Sequence, residues 1–179
     1  KANAFAMIPT TTSISRQCLL SNKYPVQLQE PWKQSKEKYE FYDCAQKLGF
    51  VEAQIGYERG YEADFAASVK CEAVSINDVD DMVHGQKQGR IGMLNDVTVL
   101  SKQGQLLGLT KRLLHHGFDV YISADHGNTP CTGMGKLMKT GVEVETKSRR
   151  MIVLRDFADK QSLARQYELI DYPKYYLSK

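Results

Sequence analysis

Short apolar runs alternate with longer stretches of helical spacing along this chain. Ala4-Phe5-Ala6-Met7-Ile8 is a continuous apolar run, the pattern of a strand buried on both faces, and Pro9 ends it. Ile14 and Cys18 then resume at a helical interval, so Thr10-Thr11-Thr12-Ser13 falls at a strand-to-helix junction. Ser35 is placed to cap a helix carrying Tyr39, Tyr42, Ala45 and Leu48, closed by Gly49. Residues 51–68, with Gly56, Gly60 and interspersed tyrosines, read as an irregular segment or a short hairpin. Ala73-Val74-Ser75-Ile76 is a second strand, running into Asp78, Asp80 and Asp81. From Met93 to His116 the leucines and valines form mostly one stripe at a 3.6-residue period, stopped by Gly117. Residues 118–123 and 151–154 predict further strands, and 157–167 a last helix.

Strands alternating with helices predict an α/β fold: a mostly parallel sheet with helices on both faces. Ligands bind such sheets outside the carboxyl ends of the strands. Three of the predicted strands end in chemically loaded sequence: the Thr10–Ser13 hydroxyls, Asp78 through His84, and Asp125-His126. The 179 residues suffice for one domain, with 22–70 as an inserted helical or irregular segment. Because the chain opens on Lys1 and runs straight into a strand, it is expected to be the C-terminal portion of a larger protein.

Composition narrows the class. The chain is 42% hydrophobic, with mean hydropathy −0.44 and net charge +3, which argues against disorder. The longest aliphatic run, Met151-Ile152-Val153-Leu154, is far short of the ~20 apolar residues of a membrane span. Cys18, Cys44, Cys71 and Cys131 include no CxxC pair, so they read as reduced thiols of a cytoplasmic protein. The positive charge is local. Residues 131–155 carry net +4, leaving −1 for the remainder, and a local positive field favours an anionic ligand unless it is merely a solvated loop.

Asp80 and His84 stand at DxxxH spacing, and Asp125 and His126 are adjacent after a strand. Together they offer mixed oxygen and imidazole ligands, suited to zinc, or to manganese where carboxylates dominate. A threonine is a poor nucleophile until a divalent cation lowers its pKa. Each feature also has a plain alternative. The threonines serve as an N-cap run, Asp-His pairs form turns, and a single histidine is often just a polar residue.

Pro9-Thr10-Thr11-Thr12, followed by Arg16, Leu20 and Tyr24-Pro25, resembles the nucleophile stretch of the alkaline phosphatase superfamily. Asp80-x-x-x-His84-Gly85 resembles its middle metal motif, and Ser123-Ala124-Asp125-His126-Gly127 its DHG motif. Within the superfamily, Arg16 and the Arg149-Arg150 pair look most like the PglZ domain family, over about residues 5–154. The resemblance implies a two-metal phosphohydrolase or phosphodiesterase of phosphate-containing small molecules or oligonucleotides, within a defence or signalling system. It places the nucleophile on Thr12, one metal on Asp125 and His126, and a second on Asp80 and His84. By charge and position, Arg16, Asn77, Lys136, Arg149 and Arg150 are candidates for substrate phosphate.

Two departures accompany it. The superfamily's aspartate on a strand before the nucleophile has no counterpart here, and no histidine follows His126. Glu143 or Glu145 is a substitute ligand, or the site binds fewer metals. Two other readings stand beside the hydrolase: an interaction module with a degenerate metal site, and another superfamily activity. Sulfate ester hydrolysis is the poorer of the latter, because Thr12 cannot become formylglycine.

Overall fold

The computed structural model describes residues 2–129, 144–148, 151–154 and 159–169. The protein is mixed α/β and about 51% helical, and among the described residues sheet structure is confined to two-stranded pieces. It divides into two compact units. Among the described residues, the first holds 2–37, 125–127 and those from 144 onward; the second holds 38–124 and 128–129.

In the first unit, helix α1 (Thr12–Ser21) is stopped by Asn22 in the left-handed region at φ 55°. Ile14 and Cys18 occupy one face and pack with Leu28, flanked by Met7 and Trp32. The interior beside this small core is polar. Gln17 is fully buried, and its amide donates to the Ser13 carbonyl at 2.8 Å and the Pro31 carbonyl at 3.2 Å. These bonds fasten the 30–33 loop onto α1, because a buried amide without acceptors is costly. The run before α1 forms no ladder with any described strand, and Phe5 is fully exposed. An apolar pattern marks what a segment is able to bury, whereas a strand also needs a hydrogen-bonded neighbour. Strands β3 (Val144–Ser148) and β4 (Met151–Leu154) pair antiparallel, so the strand predicted at 151–154 sits in an antiparallel ladder rather than a parallel sheet. Helix α6 (Lys160–Gln166) follows.

The second unit contains helix α2, whose span Glu37–Lys47 begins on the last residue of the first unit. Glu37 and Ala45 are its buried residues, while Tyr39 and Leu48, predicted on the same face as Ala45, are exposed. Strand β1 (Ile55–Arg59) pairs in parallel with β2 (Cys71–Ser75), with Ile55 opposite Cys71 and Gly56 opposite Glu72. β1 lies where the sequence suggested irregular chain or a hairpin. Helix α3 (Asp78–Gly85) follows β2, and its acidic first turn complements the positive end of the helix dipole. The long leucine stripe divides into α4 (Gly89–Gln103) and α5 (Gln105–His115) at Gly104, φ 69°, a conformation that favours glycine. Only α5 buries leucines: Leu109 and Leu113 pack with Ala63 against Val74, Ile76, Phe118 and Val120. Residues 118–123 alternate half-buried and exposed only as far as Val120 and join no ladder among the described residues.

Candidate functional site

The loaded junction before α1 is built as a helix start. Thr11 takes the N-cap position with extended backbone, φ −99° and ψ 137°, and the Ile14 and Ser15 amides bond to its carbonyl. Its side chain makes no cap bond, and Thr11 Oγ1 is buried without a hydrogen-bond partner. The hydroxyl run is therefore not consumed by capping. Thr12, the first helical residue, has its Oγ1 3.4 Å from His126 Nε2, across 114 residues of sequence.

The state of His126 follows from its other nitrogen. Nδ1 lies 3.0 Å from the Gly127 carbonyl, which only accepts, so Nδ1 carries the proton. In the neutral ring Nε2 then presents a lone pair toward Thr12. Asp125 stands beside it: Oδ1 accepts the His126 backbone amide at 3.1 Å, and Oδ2 lies 3.7 Å from Nε2. Oδ2 is buried and has no hydrogen-bond partner. A buried carboxylate oxygen, an imidazole lone pair and a threonine hydroxyl thus gather at the start of one helix. The buried carboxylate oxygen calls for a positive partner, which either a protonated ring at 3.7 Å or a bound cation supplies.

This donor set fits part of a divalent cation's shell: one carboxylate oxygen, one imidazole nitrogen and one hydroxyl, leaving positions for water or substrate oxygen. Among the described residues no group of three or more His, Cys, Asp and Glu side chains is arranged to hold a metal.

The other predicted donors lie in the second unit. Asp80 and His84 are one turn apart on α3, with His84 Nε2 3.6 Å from Asp80 Oδ1 and the imidazole 77% exposed. Asn77 occupies the N-cap position of α3, where the Ser75 hydroxyl meets its Oδ1 at 3.5 Å. Arg16, a candidate for substrate phosphate, is buried in the first unit and faces the fully buried Glu37 carboxylate at 3.6 Å. Much of its charge is therefore answered inside the protein. Lys136, Arg149 and Arg150 lie outside the described residues, as does most of the basic segment.

Two perturbed groups in the second unit escaped the sequence reading. Glu72 lies over Gly56, where an added Cβ would come within 1.7 Å of its Oε2. Burial, then the Glu58 charge, push its carboxyl up to about 7, with Lys38 acting in opposition. Burial and a hydrogen bond to Asp78 push the Tyr61 hydroxyl up to about 12. The signal for Glu72 was a glycine inside a strand, which marks close approach by a neighbour. Compared with known proteins, the chain matches no family model, no curated protein and no solved structure.

Proposed function

We propose that this protein is a metal-dependent phosphohydrolase or phosphodiesterase with Thr12 as its attacking group, acting in the cytoplasm on phosphate-containing small molecules or oligonucleotides. The observation that carries this reading is the meeting of Thr12 Oγ1, His126 Nε2 and Asp125 Oδ2, a buried oxygen with no hydrogen-bond partner. It joins two of the three stretches whose order in the chain resembles PglZ domains of the alkaline phosphatase superfamily. A divalent cation held there, zinc or manganese, would supply Lewis acidity to lower the pKa of the Thr12 hydroxyl. Asp125 and His126 would hold it, with the Gly127 carbonyl accepting from Nδ1 and leaving Nε2 free to ligate. Thr12 presents its oxygen at the positive end of α1, which favours an incoming phosphoryl group. Asp80 and His84 are the second ligand pair, by resemblance and spacing, and Arg149, Arg150 and Lys136 the bases for substrate phosphate.

The test is hydrolysis of mono- and bis-nitrophenyl phosphate together with elemental analysis. The purified chain is expected to contain zinc or manganese and to release nitrophenol. Thr12→Ala should reduce turnover to background while keeping most of the metal, and Asp125→Asn should lose both. An authentic activity left unchanged by Thr12→Ala and Asp125→Ala refutes the assignment. A second reading, an interaction module with a degenerate site, is favoured by the lack of a third metal-ligating side chain among the described residues. Protein that is metal-free and unresponsive to added zinc and manganese supports that reading instead.

A further inference from the structure

Helix α4 of the second unit is apolar on more than one face. Gly92 is its buried residue, and Met93 and Leu100 are half-buried. Ile91, Leu94, Val97 and Val99 are exposed, Ile91 at 74% and Leu94 at 68%. A helix that is apolar all round is ordinarily buried, and a clustered apolar surface left in water marks a contact. The charges of α4 are sorted between its sides. Its one acid, Asp96, is half-buried, and Oδ2 accepts from Gln86 Nε2 at 2.6 Å. Its two bases, Arg90 and Lys102, are exposed, and neither meets a carboxylate among the described residues. They stand second from each end of the helix, and the helical period sets them on either side of Leu94 and Ile91. The outward face is therefore aliphatic in its middle and cationic at both ends. Beyond Gly104, α5 adds Lys111 and Arg112 and contains no acid.

We propose that the outward face of α4 rests on the surface of an anionic lipid bilayer. Its aliphatic side chains enter the boundary between headgroups and acyl chains, while Arg90 and Lys102 meet the anionic groups of the lipid. At 15 residues α4 is too short to cross a bilayer, so it lies along one. Charge complementarity selects this occupant. A second copy docked on the same face would oppose Arg90 and Lys102 with cations, because the single acid of α4 is engaged by Gln86. A single-stranded nucleic acid needs aromatic platforms for its bases, and α4 has none. An anionic lipid surface uses aliphatic and cationic groups together.

The experiment is cosedimentation of the full chain with vesicles of phosphatidylcholine, alone or with about 30% phosphatidylserine. Binding is expected to the anionic vesicles and not to the neutral ones, and it should weaken about 10-fold or more between roughly 0.1 and 0.5 M salt. Arg90→Gln combined with Lys102→Gln should weaken it about 30-fold, and Leu94→Gln about 10-fold or more. All three positions are exposed, so circular dichroism and the urea midpoint should stay close to wild type. If Leu94→Gln fails to fold, the paired charge variant decides. Wild-type binding by both variants assigns the contact to another basic segment and overturns the proposal. So does equal binding to neutral vesicles, or binding to neither kind. A dimer formed without lipid and dissociated by Leu94→Gln would give the face to a second copy instead. Oligonucleotide binding that the charge variant abolishes, with no vesicle binding, would give it to nucleic acid; either result overturns the lipid assignment.

Discussion

Glu72 turns the parallel pair into a pH-sensitive element. Its carboxyl titrates at about 7 in the folded chain against 4.5 in the unfolded one, because burial and then Glu58 disfavour the charged form. The folded state therefore holds a proton that the unfolded state has released. Stability from this group is fully present below pH 4.5, declines as pH rises, and is lost once pH passes about 7. At about 1.4 kcal/mol per pH unit, the gap sets a ceiling of roughly 3 kcal/mol. The carboxylate is only half buried, so water screening reduces this to about 1–2 kcal/mol.

Glu72→Gln keeps the shape and removes the charge, so it should stabilise the protein by about 1–2 kcal/mol at pH 8.5 and change it little at pH 4.5. Urea titrations at both pH values, followed by far-ultraviolet circular dichroism and by hydrogen exchange of the β1 and β2 amides, give the difference directly. Local exchange matters because Trp32, the sole tryptophan, packs in the first unit, whereas this sheet belongs to the second. Equal effects of the substitution at the two pH values refute the reasoning. So does a destabilisation at pH 8.5, which would mean the charged carboxylate is well solvated or paired. Gly56→Ala supplies an independent check: the added methyl evicts the Glu72 carboxylate, and the pH dependence should largely vanish at modest cost, since a flexible side chain gives way.

The remaining predictions concern one interaction each. Arg16→Ala leaves the buried Glu37 without this cation and should cost about 3 kcal/mol, read by Trp32 fluorescence in urea, with partial recovery on adding Glu37→Gln. A loss below about 0.5 kcal/mol would show that the pair does not hold the first unit together and would return Arg16 to the list of anion contacts. Tyr61→Phe should remove one tyrosine titrating near pH 12 from the phenolate absorbance curve, and an unchanged curve contradicts its bond to Asp78.

Helices were the more legible part of this chain, and their termini the most. α1 begins at the hydroxyl run, and Gly49, Gly104 and Gly117 each follow a helix at positive φ, because backbone conformation there is dictated by one residue and its neighbours. Gly104 also shows the limit of periodicity. The apolar stripe from Met93 onward keeps a helical interval across a break in the helix, so spacing alone merged α4 with α5. Strands were less legible. The runs at 4–8 and 118–123 carry the apolar pattern of strands, yet neither joins a described ladder, while Gly56 and the charges of Glu58 and Arg59 dilute the apolar signal of β1. Pairing is a property of two segments, and composition describes one.

The candidate site divides along the same line. Adjacency in sequence makes Asp125-His126 visible, and the hydroxyl run makes Thr12 visible, but neither motif alone outweighs a turn or an N-cap. What separates them from those plain roles is visible only in three dimensions. Thr11, at the cap position, makes no side-chain cap bond, and Asp125 spends only Oδ1 on its local turn, keeping Oδ2 buried without a hydrogen bond. A buried carboxylate oxygen costs free energy wherever it lacks a donor. A turn needs one such oxygen satisfied and no histidine lone pair beside it, whereas a cation needs both atoms turned the same way. Arg16 argues the converse. Its place one helical turn after Thr12 made it look like a phosphate contact, yet it faces a buried glutamate whose charge cancels most of what a phosphate would feel. Charge and spacing locate a residue, but the partner it meets decides its chemistry.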